Sequence, residues 1–121
     1  MTIANETSVV NVKGLVNSDE ELKLFAPPGC GIQTGSGTVI NVAQAKPSDS
    51  IAILGAGGVG LAAVMGAKIA GCHTVIVIDR VQSRLELAKE LGATDVIDTG
   101  KLRSLDDLVA EVRKLCGDLR N

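Results

Sequence analysis

The chain has 121 residues, of which 45% are hydrophobic and 21% charged, and its formal net charge is −2. These values are typical of one globular domain and argue against a disordered segment or a general affinity for nucleic acid. Phe25 is the single aromatic residue, so the stacking platforms that bind single-stranded nucleic acid are absent. No apolar stretch has the length of a membrane span, and the N-terminus lacks a secretory-signal pattern. We therefore expect a cytoplasmic protein with no nucleic-acid or membrane partner.

The first third of the chain predicts short elements around a cysteine loop. Thr7 to Val12 is a candidate strand, and Glu20 to Phe25 predicts a short helical or extended piece that two prolines end. Cys30 then lies between two glycines, so its thiol has little side-chain cover. From Ser36 to Ala45 the apolar spacing predicts a helix that ends before Pro47.

A glycine-rich turn follows the next predicted strand. Ser50 to Leu54 is an unbroken apolar run, which is typical of a strand covered on both faces. Gly55, Gly57 and Gly60 have the G-x-G-x-x-G spacing. The first glycine permits the tight turn, the second lets a pyrophosphate approach the backbone, and the third lets the following helix lie close to the sheet. That helix, from about Val59 to Ala70, begins with unpaired N–H groups that favour an anion.

The second strand, Thr74 to Ile78, ends at an acid, Asp79, nineteen residues after Gly60. A carboxylate at this point accepts hydrogen bonds from ribose hydroxyls and repels a 2′-phosphate, so NAD is favoured over NADP. The adjacent Arg80 keeps NADP open as an alternative. Strand, helix and acid together supply the context that the glycine motif requires. A glycine turn that serves only helix packing is the other interpretation. The predicted phosphate-binding residues are Gly55, Gly57, Gly58, Val59 and Gly60.

The remaining residues continue the alternation of helices and strands. A helix is predicted over Gln82 to Leu91, a third strand over Asp95 to Asp98, and a last helix from Ser104 to Gly117. This order predicts an α/β fold: a partial doubly wound Rossmann sheet of three parallel strands with flanking helices. With the usual strand order, Ser50 to Leu54 keeps a bare edge, through which the chain could self-associate.

Three segments carry a family resemblance: FAPPGCGIQTGSGTVINV, ILGAGGVGLAAVMGAKIAG and VIDRVQSRLELAKELGATDVID. Over residues 7 to 118 the chain resembles the zinc-dependent medium-chain alcohol dehydrogenases, particularly the aryl- or benzyl-alcohol branch. The resemblance implies that Cys30 matches the third protein ligand of the catalytic zinc and that Thr34 lies beside the nicotinamide. It also implies that Asp79 binds the adenosine ribose and that Arg84 contacts the same sugar.

The resemblance further implies a division of the chain and a loss of activity. Residues 1–35 would be a remnant of the GroES-like catalytic domain with the zinc-ligand loop, and residues 36–121 a partial NAD-binding Rossmann domain. The family's other two zinc ligands, a Cys and a His, and the later Rossmann strands have no counterpart here. A catalytic zinc usually takes three protein ligands, so Cys30 alone would not hold it stably. We expect a truncated enzyme that is inactive alone and acts on an alcohol or aldehyde only if complemented.

Two other functions stay open at this point. One is a non-enzymatic module that binds a dinucleotide or pairs through its strand edge. The other is a Rossmann-like methyltransferase or flavin protein, in which the loop around Cys30 would have no role. The single histidine, His73, favours a surface or packing role over metal binding.

Overall fold

The computed structural model describes residues 2–117, which form a three-stranded parallel sheet with helices on both faces. The strand order is β1-β2-β3. Short 3-10 turns lie at Glu6–Ser8, Pro27–Gly29 and Thr99–Lys101, and a π-helical turn lies at Thr38–Val42. The main elements are α1 Asp19–Leu24, α2 Gly31–Gly37, β1 Ser50–Leu54, α3 Gly58–Ala70, β2 Thr74–Asp79, α4 Gln82–Leu91, β3 Asp95–Asp98 and α5 Leu105–Cys116.

The central strand β2 organises the core. Its β-branched residues are buried on both faces, because helices α3 and α4 cover one face of the sheet and α5 covers the other. On the α5 side, Ile76, Ile78 and Ile97 pack against the apolar stripe of that helix. Helices on both faces of a parallel sheet define the doubly wound arrangement, so the predicted α/β class is confirmed.

Strand β1 differs from its prediction on one face. Ile53 is buried against the α3 side, but Leu54 is 74% exposed and Ala52 is also exposed. The reason is the position of α5, which covers β2 and β3 and leaves the neighbouring face of β1 open. The expectation that both faces are covered is therefore wrong for the described residues. Within them, β1 is an edge strand, as its place in the sheet predicts.

The N-terminal predictions are met only in part. The strand expected at Thr7 to Val12 is absent from the described residues, which have a 3-10 turn at Glu6–Ser8 instead. Val9 and Val10 are exposed and have no partner strand in the described part of the chain, so β propensity alone does not form a strand here. The piece expected from Glu20 is helix α1, whose start is capped by the Ser18 side chain accepting from the Glu21 N–H.

Helix α2 begins earlier than its sequence predicts. The prediction started at Ser36, but the helix starts at Gly31, because packing against α3 outweighs the low helix propensity of its glycines. The chain leaves the π-helical turn at Gln44, which has a left-handed φ of 51°. Helix α2 crosses the boundary proposed between residues 35 and 36, and the two-domain division stays a prediction. None of the helices in residues 2–117 is long and apolar enough to cross a membrane.

Candidate functional site

The glycine turn joins β1 to α3 at the carboxyl end of the sheet. Gly55 has a φ of +93°, a left-handed conformation that favours glycine, and its N–H continues the ladder by donating to the Ile78 carbonyl at 2.8 Å. Gly60 faces the turn so closely that a Cβ there would collide with the Gly55 carbonyl oxygen. Both glycines are therefore required by the backbone itself, as the spacing predicts.

Gly57 meets a different demand. A Cβ at Gly57 or at Gly58 would touch nothing within 4 Å, so the space above the turn is open. Helix α3 begins here, and the N–H groups of its first turn, which includes Val59, have no acceptor within the helix. Open space above aligned N–H donors, at the positive end of a thirteen-residue helix, suits an anion.

A cleft of about 410 Å³ lies beside this turn. Its walls come from four elements: α2, the π-helical turn that follows α2, β1 and α3. Both Thr34 and Thr38 are exposed, and of the two only Thr38 lines the cleft. Thr38 lies one helical turn after Thr34 and donates from its hydroxyl to the Thr34 carbonyl at 2.7 Å, so the two threonines form one face of the helix. The four-residue spacing in the sequence could have placed Thr38 on the same helix face as Thr34. The nicotinamide role of Thr34 stays a prediction. The lining residues are Gly35, Thr38, Ile53, Leu54, Gly55, Gly57, Gly58, Val59, Gly60 and Ala63.

Asp79 is bonded to the glycine turn. Its Oδ2 accepts from the Ala56 N–H at 2.7 Å, and its Oδ1 accepts from the N–H groups of Arg80 and Val81 at 2.7 and 2.9 Å. These hydrogen bonds, that from Ala56 foremost, lower the pKa of the Asp79 carboxyl below its ordinary value, and the charge of Arg84 lowers it further. The side chain at the end of β2 is therefore a carboxylate at neutral pH.

The two arginines predicted near the ribose lie beside this carboxylate. Arg80 follows Asp79 directly and is exposed, and Arg84 is exposed on the first turn of α4. In the described part of the chain neither guanidinium forms an ion pair within 4 Å. The structure therefore brings the glycine turn, Asp79, Arg80 and Arg84 together at the carboxyl end of the sheet.

The residues around Cys30 do not make a zinc site. Its thiol is exposed ahead of α2, and residues 2–117 contain no cluster of three His, Cys, Asp or Glu side chains that could hold a metal. His73 precedes β2 at the amino end of the sheet, opposite the glycine turn, and its N–H donates to the Asp49 carbonyl. A catalytic zinc needs about three protein ligands, so the described residues do not fit it.

A parallel sheet, a glycine turn opening a helix, and an acid ending the second strand define the class of α/β proteins with the dinucleotide-binding fold. The sequence profile of a family described as zinc-binding dehydrogenase matches residues 58–120. The chain belongs to this zinc-binding dehydrogenase family, the medium-chain alcohol dehydrogenases. That membership confirms the predicted resemblance to the medium-chain alcohol dehydrogenases, and the aryl or benzyl branch stays a prediction.

Individual relatives agree with the family. Geraniol dehydrogenase of Castellaniella defragrans is 42% identical over 115 residues, which are 95% of this chain and 29% of that protein. The structure of benzyl alcohol dehydrogenase from Acinetobacter calcoaceticus superposes with a TM-score of 0.70 at 44% identity, over 84% of this chain and 27% of that one. A zinc-binding-domain alcohol dehydrogenase from Burkholderia ambifaria gives 0.69 at 46% identity, over 82% and 26%. The chain thus spans less than a third of the length of these proteins.

Two further structures were solved with a nucleotide. An alcohol dehydrogenase from E. coli CFT073 was solved with NADH and has a TM-score of 0.59 at 34% identity, over 67% of this chain and 24% of that one. A zinc-binding dehydrogenase from Sinorhizobium meliloti 1021 was solved with NADP and has a TM-score of 0.54 at 34% identity, over 59% and 21%. The family therefore includes binders of either nucleotide.

Proposed function

We propose that this chain is the NAD-binding portion of a zinc-dependent alcohol dehydrogenase, which transfers a hydride between an alcohol and NAD. The observation that carries the proposal is the glycine turn between β1 and α3, closed by the carboxylate of Asp79. A bound dinucleotide would supply the hydride acceptor. The likeness to a benzyl alcohol dehydrogenase supports an aryl or benzyl alcohol as substrate.

Each part of the site has a task in this proposal. The pyrophosphate would lie over Gly57 and face the first N–H groups of α3, including that of Val59. An adenosine ribose hydroxyl would donate to Asp79. Its carboxylate repels the additional phosphate of NADP, which favours NAD. Arg80 and Arg84 place positive charge beside the same sugar, so the preference is one of degree.

The chain is proposed to bind cofactor without completing the reaction. Cys30 has no partner ligands among the described residues, so those residues include no built site that would polarise an alcohol oxygen. We propose that the chain binds NAD and does not oxidise benzyl alcohol by itself.

Gly57→Ala tests the phosphate site without disturbing the fold. The added methyl would meet no atom within 4 Å, and φ at this position is −79°, which alanine adopts freely. We expect NAD affinity, measured by isothermal titration, to fall at least about tenfold, because the methyl holds the pyrophosphate away from the backbone. Stability should fall by no more than about 1 kcal/mol, the cost of alanine at a helix N-cap.

Gly29→Ala is the matched control, since a Cβ at Gly29 also meets nothing within 4 Å and lies outside the cleft. Its NAD affinity should equal that of the wild-type chain. Equal affinity in Gly57→Ala would contradict the phosphate site. Absence of NAD binding by the folded wild-type chain would contradict the proposed function as a whole.

A second candidate function is self-association through the open edge of β1. That strand, Ser50–Leu54, carries no charged residue, and its Ala52 and Leu54 side chains are exposed. An uncharged edge strand with unpaired N–H and C=O groups is a template for pairing with another strand. We propose a two-fold dimer in which two β1 strands pair.

Ala52→Lys tests this dimer. We expect light scattering to show a concentration-dependent dimer for the wild-type chain and a monomer for the variant, because a lysine at an edge strand opposes strand pairing. Ala110→Lys adds the same charge on the exposed surface of α5 and should leave the dimer intact. A wild-type chain that is monomeric at all concentrations would rule out the dimer.

A further inference from the structure

The hydrogen bond between Ala56 and Asp79 lies inside the glycine turn. Ala56 is only 1% exposed, so water has little access to its N–H group, and the Asp79 Oδ2 at 2.7 Å is the acceptor that the structure provides. The bond joins residues 23 positions apart in sequence. Without it, a buried donor at the centre of the turn would have no partner.

The Asp79 carboxylate is itself held in place. Oδ1 accepts two N–H groups, those of Arg80 and Val81, so the side chain has little freedom to rotate away from Ala56. A carboxylate offers about four acceptor positions, and the protein uses three of them. One position on Oδ2 remains, so a ribose hydroxyl can donate to Asp79 without displacing Ala56.

We propose that Asp79 is a positioning residue for the phosphate-binding turn, in addition to the ribose contact that rests on the proposed function. By holding Ala56, it fixes the neighbouring Gly57 and the approach to the first N–H groups of α3. Pyrophosphate affinity therefore depends on a carboxylate that does not touch the phosphates.

The negative charge of Asp79 and its positioning of the turn have opposite effects on the affinity for an anion, which makes the inference testable. If Asp79 contributed only its charge, neutralising it would strengthen the binding of an anion nearby. If it positions the turn, neutralising it weakens that binding. In Asp79→Asn the amide oxygen satisfies the two N–H groups of Arg80 and Val81 best, which turns the amide NH2 toward the Ala56 N–H.

The experiment is a titration of the 121-residue chain with inorganic pyrophosphate and, separately, with NAD. We expect pyrophosphate affinity to fall about tenfold in Asp79→Asn, in proportion to the cost of one unpaired buried donor. Asp98→Asn is the matched control, since Asp98 pairs with Asp79 in the sheet register and carries the same charge, and it is not bonded to the glycine turn. Its pyrophosphate affinity should stay unchanged or rise.

The outcomes separate the inference from the proposed function. Weaker NAD binding with unchanged or tighter pyrophosphate binding in Asp79→Asn would restrict Asp79 to the ribose and overturn the inference alone. If the wild-type chain bound neither ligand, the proposed function would fail, and a second measurement would still test the inference.

That measurement is an NMR titration of the wild-type chain, which requires no variant. The charged groups around Asp79 are Arg80, Arg84 on α4 and Asp98 on β3. Since the pKa of Asp79 is lowered in the folded chain, its bond to Ala56 has full strength above the ordinary pKa and weakens as the pH falls through the lowered one. The Ala56 amide shift should follow the Asp79 carboxyl shift with the same midpoint. Independent titration of the two signals would overturn the inference.

Discussion

Gly60→Ala is expected to destabilise the chain by about 3 kcal/mol and to abolish NAD binding. The added Cβ would collide with the Gly55 carbonyl oxygen and lie 3.0 Å from its carbonyl carbon, so backbone rather than a flexible side chain would have to move. Forcing atoms into a closely packed site costs about 1–3 kcal/mol, and backbone contact places this site at the upper end. Such a loss is a large fraction of the stability of a small domain, which is about 5–15 kcal/mol.

Urea unfolding followed by circular dichroism measures this effect, because the chain has no Trp or Tyr for fluorescence. Gly58→Ala is the control: it lies two residues away in the same helix turn, and a Cβ there meets nothing within 4 Å. Its free energy of unfolding should stay within about 1 kcal/mol of the wild-type value. Equal midpoints for Gly60→Ala and Gly58→Ala would show that the close approach of turn and helix is not required.

Gly35→Ala should have an effect of similar size at the contact between α2 and α3. A Cβ on Gly35 would lie 2.8 Å from the Ala62 Cβ and 2.9 Å from the Ala63 nitrogen, and would meet the Val59 carbonyl oxygen. The two helices would have to separate, and Val59 lies at the start of α3 where the phosphate is proposed to bind. We expect a loss of about 2–3 kcal/mol in urea unfolding together with weaker NAD binding.

Gly37→Ala is the matched control in the same helix. Its nearest neighbour would be the Asn41 side-chain nitrogen at 3.6 Å, an ordinary contact, so alanine should stabilise the helix by about 0.5–1 kcal/mol. The two alanine variants therefore shift the unfolding midpoint in opposite directions. A stabilising Gly35→Ala would contradict the close packing of α2 on α3.

Helix–helix contact also explains why α2 was located imprecisely from sequence. The apolar spacing placed the predicted start at Ser36, whereas Gly31 and Gly35, which precede it, have low helix propensity. In the fold, Gly35 is buried against α3 and Gly66 of α3 lies against Ser36, so the glycines allow a close crossing. Propensity describes an isolated helix, whereas α2 is stabilised by its neighbour.

The amino-acid sequence by itself determined the alternation of strands and helices from Ser50 to Gly117, because each element carries a local pattern. The apolar runs, the G-x-G-x-x-G turn and the Ser104 cap are such patterns, and each of them is only a few residues long. The acid at the end of β2 and the family could also be predicted from the sequence alone, since both follow from short motifs in fixed order.

Only the tertiary structure decided which surfaces are covered and what Asp79 contacts inside the protein. The exposure of Leu54 depends on where α5 packs, and Thr38 reaches the cleft only through the path of α2. No strand forms at Thr7 to Val12 because residues 2–117 offer it no partner strand. The bond from Ala56 to Asp79 joins two strand ends that meet because the strands are parallel neighbours. Such contacts depend on packing between distant segments, and no local pattern encodes them.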